Sequence, residues 1–196
     1  MYKLCKTEES AKRQREMEQA LLRMMLDHRY EEISVSELCA ALAIPRKAFY
    51  RYFDSKDDAL HALLDHTLEE FALFEANRSL NEPRSLRGEL EQFFQFWYVH
   101  RALLDALERN SMTGVLLDTA IHFPLRNMVS PEKFLPQDSA WMRPRVFRFA
   151  ICGLMVGVLE WYRGGFEETA TAMSAMACRM LSRPLFPNLR SLGIME

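Results

Sequence analysis

Apolar side chains recur along this chain at three- and four-residue steps, the spacing of a helix face rather than of a half-buried strand. Met17, Ala20, Leu21, Met24 and Met25 form one such stripe. Only 7 Gly and 8 Pro occur in 196 residues, so little interrupts it. The expected fold class is therefore all-α. The length suits one ordinary domain, or a small domain joined to a larger one.

The net charge of −2 excludes a generally basic nucleic-acid coat protein, but the charge is unevenly placed. Residues 1–56 carry 11 Lys+Arg against 9 Asp+Glu, and the remainder carries the acidic excess. Within Ile44–Lys56 stand Arg46, Lys47, Arg51 and Lys56 with the single acid Asp54. Local charge of this kind governs phosphate contact more than the total does. The cysteines Cys5, Cys39, Cys152 and Cys178 are far apart and lack metal-ligand spacing, which reads as reduced thiols with no metal and no cofactor. MYKLCKTEES is too polar for a signal peptide, and the longest uncharged apolar run, Phe149–Leu159, is 11 residues. Neither feature suits a membrane. A cytoplasmic protein is expected.

Residues 1–12 read as polar and frayed, followed by a first helix at about Arg13–Asp27. Ser34-Val35-Ser36-Glu37 has the S-x-x-E form of a capping box, so Ser34 should start a short second helix ending by Ala43. Its buried face would be Val35, Leu38, Cys39 and Leu42. Pro45 suits the first turn of a third helix, Arg46–Phe53. Its inward residues would be Ala48, Phe49 and Tyr52 or Phe53. Ser55 should cap a fourth helix reaching about Glu75, with Asp57 and Asp58 in its first turn. Residues 77–84 read as a loop. A long aromatic-rich helix follows from Ser85, with a break near His100-Arg101, and then helices at 102–110 and 113–123. Four prolines make Phe123–Pro144 irregular. Two last helices, 145–163 and 167–181, flank Gly164-Gly165, and 183–196 reads as an irregular tail.

Two short helices joined by a tight turn, the second basic on its outer face, form a helix-turn-helix signature. A two-turn helix can lie in the major groove with its N-terminal residues at base edges. Arg46 and Lys47 hold those positions. Tyr50, Arg51 and Tyr52 can reach bases or phosphates, and Lys56 and Ser36 can hold phosphates at the two flanking helix starts. Ser34 is first a cap, and Phe49, Phe53, Leu38 and Leu42 are core.

The stretch SVSELCAALAIPRKAFYRYFDSKDDALHALL, Ser34 to Leu64, resembles the DNA-binding head of the tetracycline-repressor (TetR) family. The resemblance is carried by Ser34, Leu38, Cys39, Ile44, Phe49, Tyr50, Tyr52, Phe53, Ser55, Lys56 and Ala59/Leu60, within roughly residues 13–65. It implies about nine helices: a three-helix head, a linking fourth helix, and a helical body that binds an effector and dimerises. The corresponding boundaries are 1–56 for the head and 57–196 for the linking helix and body. Family members often have Gly where this chain has Arg29, Ala43 and Lys47. Arg29, at the end of the first helix, is thus expected at positive φ, costing roughly 1 kcal/mol. Pro45 and Tyr52 also depart from the usual residues.

In the body, the aromatic stripe Phe93–Tyr98 is core, yet Trp97, His100 and Arg101 near the break could line a pocket, apolar walls with few polar groups being what a ligand needs. His100 can equally be a structural histidine. Met112, Leu116, Phe123, Trp141, Phe147, Ile151 and Met155 are further effector candidates. Gly153 and Gly157, four apart, would let another helix approach. The resemblance implies that the last two helices of each subunit form a four-helix dimer interface, with Gly153, Val156, Gly157, Met173, Met176 and Met180 in it. A dimer would present two heads about one DNA turn apart, roughly 34–36 Å, to a pseudo-palindrome.

No nucleophile elbow, phosphate loop or HExxH helix occurs, so no enzyme is expected. The expected function is a dimeric transcriptional regulator, commonly a repressor in the resembling family, that binds double-stranded DNA and is released by a small-molecule effector. The alternative is a coactivator of the same fold whose body answers to a partner protein.

Overall fold

The computed structural model describes residues 2–77, 85–123 and 143–182, and every described regular element is helical. There are nine α-helices among these residues: α1 Glu8–Asp27, α2 Val35–Ala41, α3 Arg46–Phe49, α4 Lys56–Asn77, α5 Leu86–Val99, α6 Arg101–Arg109, α7 Thr113–His122, α8 Arg143–Arg163 and α9 Ala170–Ser182, with a 3-10 turn at Tyr30–Glu32. Expectations for the 77–84 loop beyond Asn77, for 124–142 and for the 183–196 tail lie outside the described residues.

The first helix begins at Glu8, earlier than its apolar stripe alone indicates, because Thr7 and Ser10 form a capping box and Glu8 and Glu9 occupy the first turn. Both devices satisfy or complement the exposed N–H groups of a helix start. Residues 2–5 are not frayed either. The Lys3 N–H donates to the Tyr52 carbonyl at 2.9 Å, and the Tyr2 hydroxyl to Asp65 at 3.0 Å.

The head core gathers Met17, Leu21 and Met25 of α1, Leu38 and Cys39 of α2, Phe49 and Phe53, and Ala59, Leu60, Leu63 and Leu64 of α4. Each fully buried side chain of this size contributes roughly 1.5–3 kcal/mol. Body residues join the same cluster: Phe93, Phe94 and Trp97 of α5, Leu103, Leu104, Ala106 and Leu107 of α6, Leu116 of α7, Met155 and Trp161 of α8, and Met173 of α9. Edge-to-face ring contacts order the body, with Phe71 and Phe93 centroids 5.7 Å apart and Phe94 and Trp161 likewise 5.7 Å.

Head and body are also joined by polar ties. Asn110, capping the C-terminus of α6, accepts from the Tyr30 N–H at 2.6 Å and donates to the Met25 and Ala106 carbonyls at 3.0 and 2.7 Å. One amide thereby closes the end of α1, the 3-10 turn and α6.

Several boundaries differ from expectation for identifiable reasons. Arg29 has φ −67°, so it carries no left-handed strain. The turn residue with φ 52° is Ala43, between α2 and α3. Pro45 is the N-cap of α3 rather than its first helical residue. The third helix is a single α-turn, Arg46–Phe49, after which Arg51 and Tyr52 bond back three residues instead of four. The eighth helix starts at Arg143, with Pro144 in its first turn, where a missing N–H costs nothing. It ends at Gly164-Gly165, where φ is +72° at Gly165. The ninth begins at Ala170, beyond Glu167 and Glu168. No helix among the described residues is long and apolar enough to cross a membrane.

Candidate functional site

The helix-turn-helix is assembled by caps and a turn. The Ser34 hydroxyl accepts from the Glu37 N–H at 3.2 Å while Glu37 accepts from the Ser34 N–H at 2.8 Å. These bonds hold the Glu37 carboxyl below its ordinary range, so the box is ionised and complete at neutral pH. After α2, the Ala43 and Ile44 N–H groups close onto the Ala40 and Cys39 carbonyls, and Ala43 reverses the chain at positive φ. Pro45, which lacks an N–H, then leads into α3.

This local geometry sorts the seven candidate DNA residues. Ser36, Arg46, Lys47, Tyr50 and Arg51 are exposed. Arg46 donates to the Tyr50 hydroxyl at 3.1 Å, so the guanidinium and phenol form one unit on the outer face. Tyr52 is turned inward and 7 % exposed, its ring beside Phe53 at 6.4 Å. Lys56 also has a different task. Its ammonium donates to the carbonyls of Tyr30, Glu31 and Ile33 and lies 4.4 Å from the Tyr30 ring centroid. A cation whose donors are taken by three carbonyls is a fold anchor, binding the start of α4 to the 3-10 turn. Tyr30 completes that corner by donating to Asp57 at 2.5 Å, and burial with this carboxylate pushes its phenol well above the ordinary range. Tyr52 and Lys56 therefore do not share the outward face of Ser36, Arg46, Lys47, Tyr50 and Arg51.

The effector candidates are divided. Trp97, Leu116, Phe123 and Met155 are buried core, while Met112, Phe147 and Ile151 are half-buried. Trp141 lies outside the described residues. Arg101 is exposed, 5.2 Å over the Tyr98 ring. His100 stacks on Phe96 at 4.0 Å, places Nδ1 2.9 Å from the Phe96 carbonyl, and has Nε2 3.6 Å from Glu70. Of the nine described candidates only His100 borders a cavity of about 500 Å³ where α1, α4 and the α5–α6 junction meet, with Arg15, Gln19, Leu63, Glu70 and Val99 among its walls. The break at His100 signalled this place; the part taken by α1 had no separate sequence signal.

The dimer candidates lie together along α8 and α9. A groove of about 530 Å³ runs between them, bordered by Gly153, Val156, Gly157, Met173, Met176 and Met180. Among the described residues, open space stands where a Cβ on Gly153 or Gly157 would be. Val156, Met176 and Met180 are exposed, as is Phe149 at 74 %, while Met173 forms the buried floor.

Two contributors escaped sequence reasoning. Asn110 has no motif. The strap Tyr2–Cys5 was foreshadowed only by Thr7, whose position before Glu8 and Glu9 marks an early helix start.

Comparison with known proteins agrees with this architecture. Residues 19–63 match the family described as bacterial regulatory proteins, tetR family. No curated protein matches the chain in sequence. Among solved structures, the fatty acid degradation regulator FadR from Bacillus halodurans is similar at TM-score 0.58 and 16 % identity, covering 88 % of this chain and 95 % of its own. The dihydroxyacetone kinase operon activator DhaS is similar at TM-score 0.56 and 16 % identity, over 93 % and 97 % of the two chains. A tetR-family transcriptional regulator from Streptomyces coelicolor aligns at TM-score 0.52 and 19 % identity, over 92 % and 96 %. Residues 19–63 thus carry the sequence pattern of the tetR family, and the chain shares the fold of these solved regulators.

Proposed function

We propose that this protein is a dimeric repressor that holds a pseudo-palindromic operator and releases it when a small molecule enters the body. The observation that carries the DNA reading is the outward set Arg46, Lys47, Tyr50 and Arg51 on a capped helix-turn-helix, with Ser36 at the start of the preceding helix. Residues 1–56 are the reading head, and 57–196 the linking helix and the effector and dimerisation body. The cytoplasm, where operator DNA is accessible, is the place of action.

The cavity at the α1–α4–α6 meeting is the best-supported effector site. It adjoins the linking helix and touches the head through Arg15 and Gln19. A ligand that fits one spacing of these helices better than another shifts head orientation, and a coupling of about 1–3 kcal/mol suffices for a useful switch. The apolar α8–α9 groove supports a second copy as the partner, since a two-fold axis brings the same patch onto itself.

The test is binding to the protein's own upstream intergenic DNA against scrambled DNA over a salt series. Sequence-dependent binding by a dimer, with the steep salt dependence of about 6–10 phosphate contacts, supports the regulator. Equal affinity for scrambled DNA counts against an operator there. A second reading, an activator whose body answers to a partner protein, is favoured by the fold similarity to the operon activator DhaS. Loss of DNA affinity on adding a small ligand decides for the first reading.

A further inference from the structure

The segment before α1 is held where N-terminal residues usually fray. Three ties span four residues: the Tyr2 hydroxyl donates to Asp65 on α4, the Lys3 N–H to the Tyr52 carbonyl, and the Cys5 thiol to Gln14 Oε1 on α1 at 2.8 Å. The Lys3 ammonium adds a bond of 2.9 Å to the Tyr50 carbonyl and lies 3.3 Å from Asp54. These contacts run the strap along the turn that follows α3, so it borders the proposed DNA face instead of the body.

That course has an electrostatic consequence. A shallow concavity of about 240 Å³ is walled by Lys3, Leu4, Cys5, Lys6, Ser10, Arg51 and Tyr52. Three cations thus share one depression, and Lys6 and Arg51 are both exposed around it. Of the nearby acids, Asp54 is engaged by Lys3 and accompanied by Asp58, which accepts from its N–H, and Glu8 and Glu9 begin α1. Leu4, between the two lysines in sequence, is 88 % exposed.

We propose that the strap is a second DNA-contacting element, in which Lys6, with Arg51 and Lys3, takes backbone phosphates beside the groove that α3 enters. The inference rests on the DNA-binding reading above and extends its footprint beyond the helix-turn-helix. Because the strap is already ordered, little conformational freedom is lost when phosphate arrives. Its contribution is independent of base sequence, since phosphate contacts position without specifying. Lys3 is a positioning residue as well, because the same ammonium holds the Tyr50 carbonyl at the end of the recognition turn.

The experiment uses the full chain and a mixed-sequence duplex of about 40 base pairs, so no operator need be known. Binding is followed by fluorescence anisotropy from low to moderate salt for wild type, Lys6→Gln, Lys3→Gln and Arg87→Gln. The last removes an equal charge from the exposed surface of α5. Each lost phosphate contact lowers the slope of log affinity against log salt by about 0.9. Lys6→Gln is expected to lose about that much slope and roughly three- to tenfold in affinity, with Arg87→Gln unchanged. Wild-type slope and affinity in Lys6→Gln overturn the strap while the helix-turn-helix reading stands. An equal loss in Arg87→Gln overturns it too, because the effect would then be one of net charge. No salt-dependent binding by the wild type overturns both the strap and the DNA reading beneath it.

Discussion

At the scale of single residues, two lysines nine positions apart illustrate why charge in a sequence does not assign a role. Lys47 is exposed on α3, whereas Lys56 spends its ammonium on the Tyr30, Glu31 and Ile33 carbonyls. Lys56→Ala leaves those carbonyls without their charged donor and should destabilise the fold by about 1–3 kcal/mol, read as a lower urea midpoint. Lys47→Ala should leave the midpoint within about 0.5 kcal/mol of wild type and weaken DNA binding instead. Equal midpoints for the two variants would remove the anchor role from Lys56. Ala43 offers a second case. Its φ of 52° is a conformation that L-residues adopt at a cost, and glycine adopts it freely. Ala43→Gly is therefore expected to stabilise by about 0.5–1 kcal/mol in the same denaturation assay, and a loss of stability would contradict the strain argument.

At the scale of elements, the contact between α1 and α4 hides a buried carboxyl. Glu18 is fully buried, with both carboxylate oxygens 2.9 and 3.0 Å from His66 Nδ1 and one of them 3.7 Å from Arg15. Burial pushes its carboxyl up to about 8; Glu69 and Asp65 on α4 push the same way, and Arg15 pulls back. A carboxyl whose folded value lies above its unfolded one binds its proton more tightly in the folded state. Stability is then greatest below the ordinary value of 4.5 and is lost as pH rises toward about 8. Wild-type Tm should fall across that window, and Glu18→Gln should flatten the fall by roughly 3–6 °C. Parallel pH profiles would show that the Glu18 carboxyl does not make the α1–α4 contact pH-dependent.

Elements were also what the sequence made most legible. Helix class, the Ser34–Glu37 box and the break at His100 follow from local spacing and hydrogen-bonding chemistry. What stayed hidden depends on contacts between distant parts. Lys56 looks like a phosphate ligand until the Tyr30 turn folds against it, and Asn110 gains meaning only beside Met25 and Tyr30. The strap looks frayed in sequence because its partners Tyr52 and Asp65 lie about fifty and sixty residues away. Gly164-Gly165 by contrast ends α8 as local chemistry dictates, because the chain there must adopt positive φ.

At the scale of the whole molecule, the question is what covers α8 and α9. Phe149, Val156, Met176, Met180 and Leu181 are exposed along one groove, an apolar surface that a monomer seldom displays without a use. Gly153 and Gly157 leave the α8 backbone open to close approach by another helix. In a two-fold dimer each patch meets its own copy, so one substitution acts twice. Val156→Glu adds a carboxylate at a position already exposed in the single chain, so the fold should survive with an unchanged helical spectrum. In the dimer it would bury two like charges facing each other, which costs several kcal/mol. Sedimentation velocity should show the wild type as a dimer and the variant shifted to monomer, with a dissociation constant raised at least about a hundredfold. DNA binding would then lose the linkage between half-sites although both heads are intact. A variant that sediments as wild type would place the interface elsewhere and leave this groove to some other occupant.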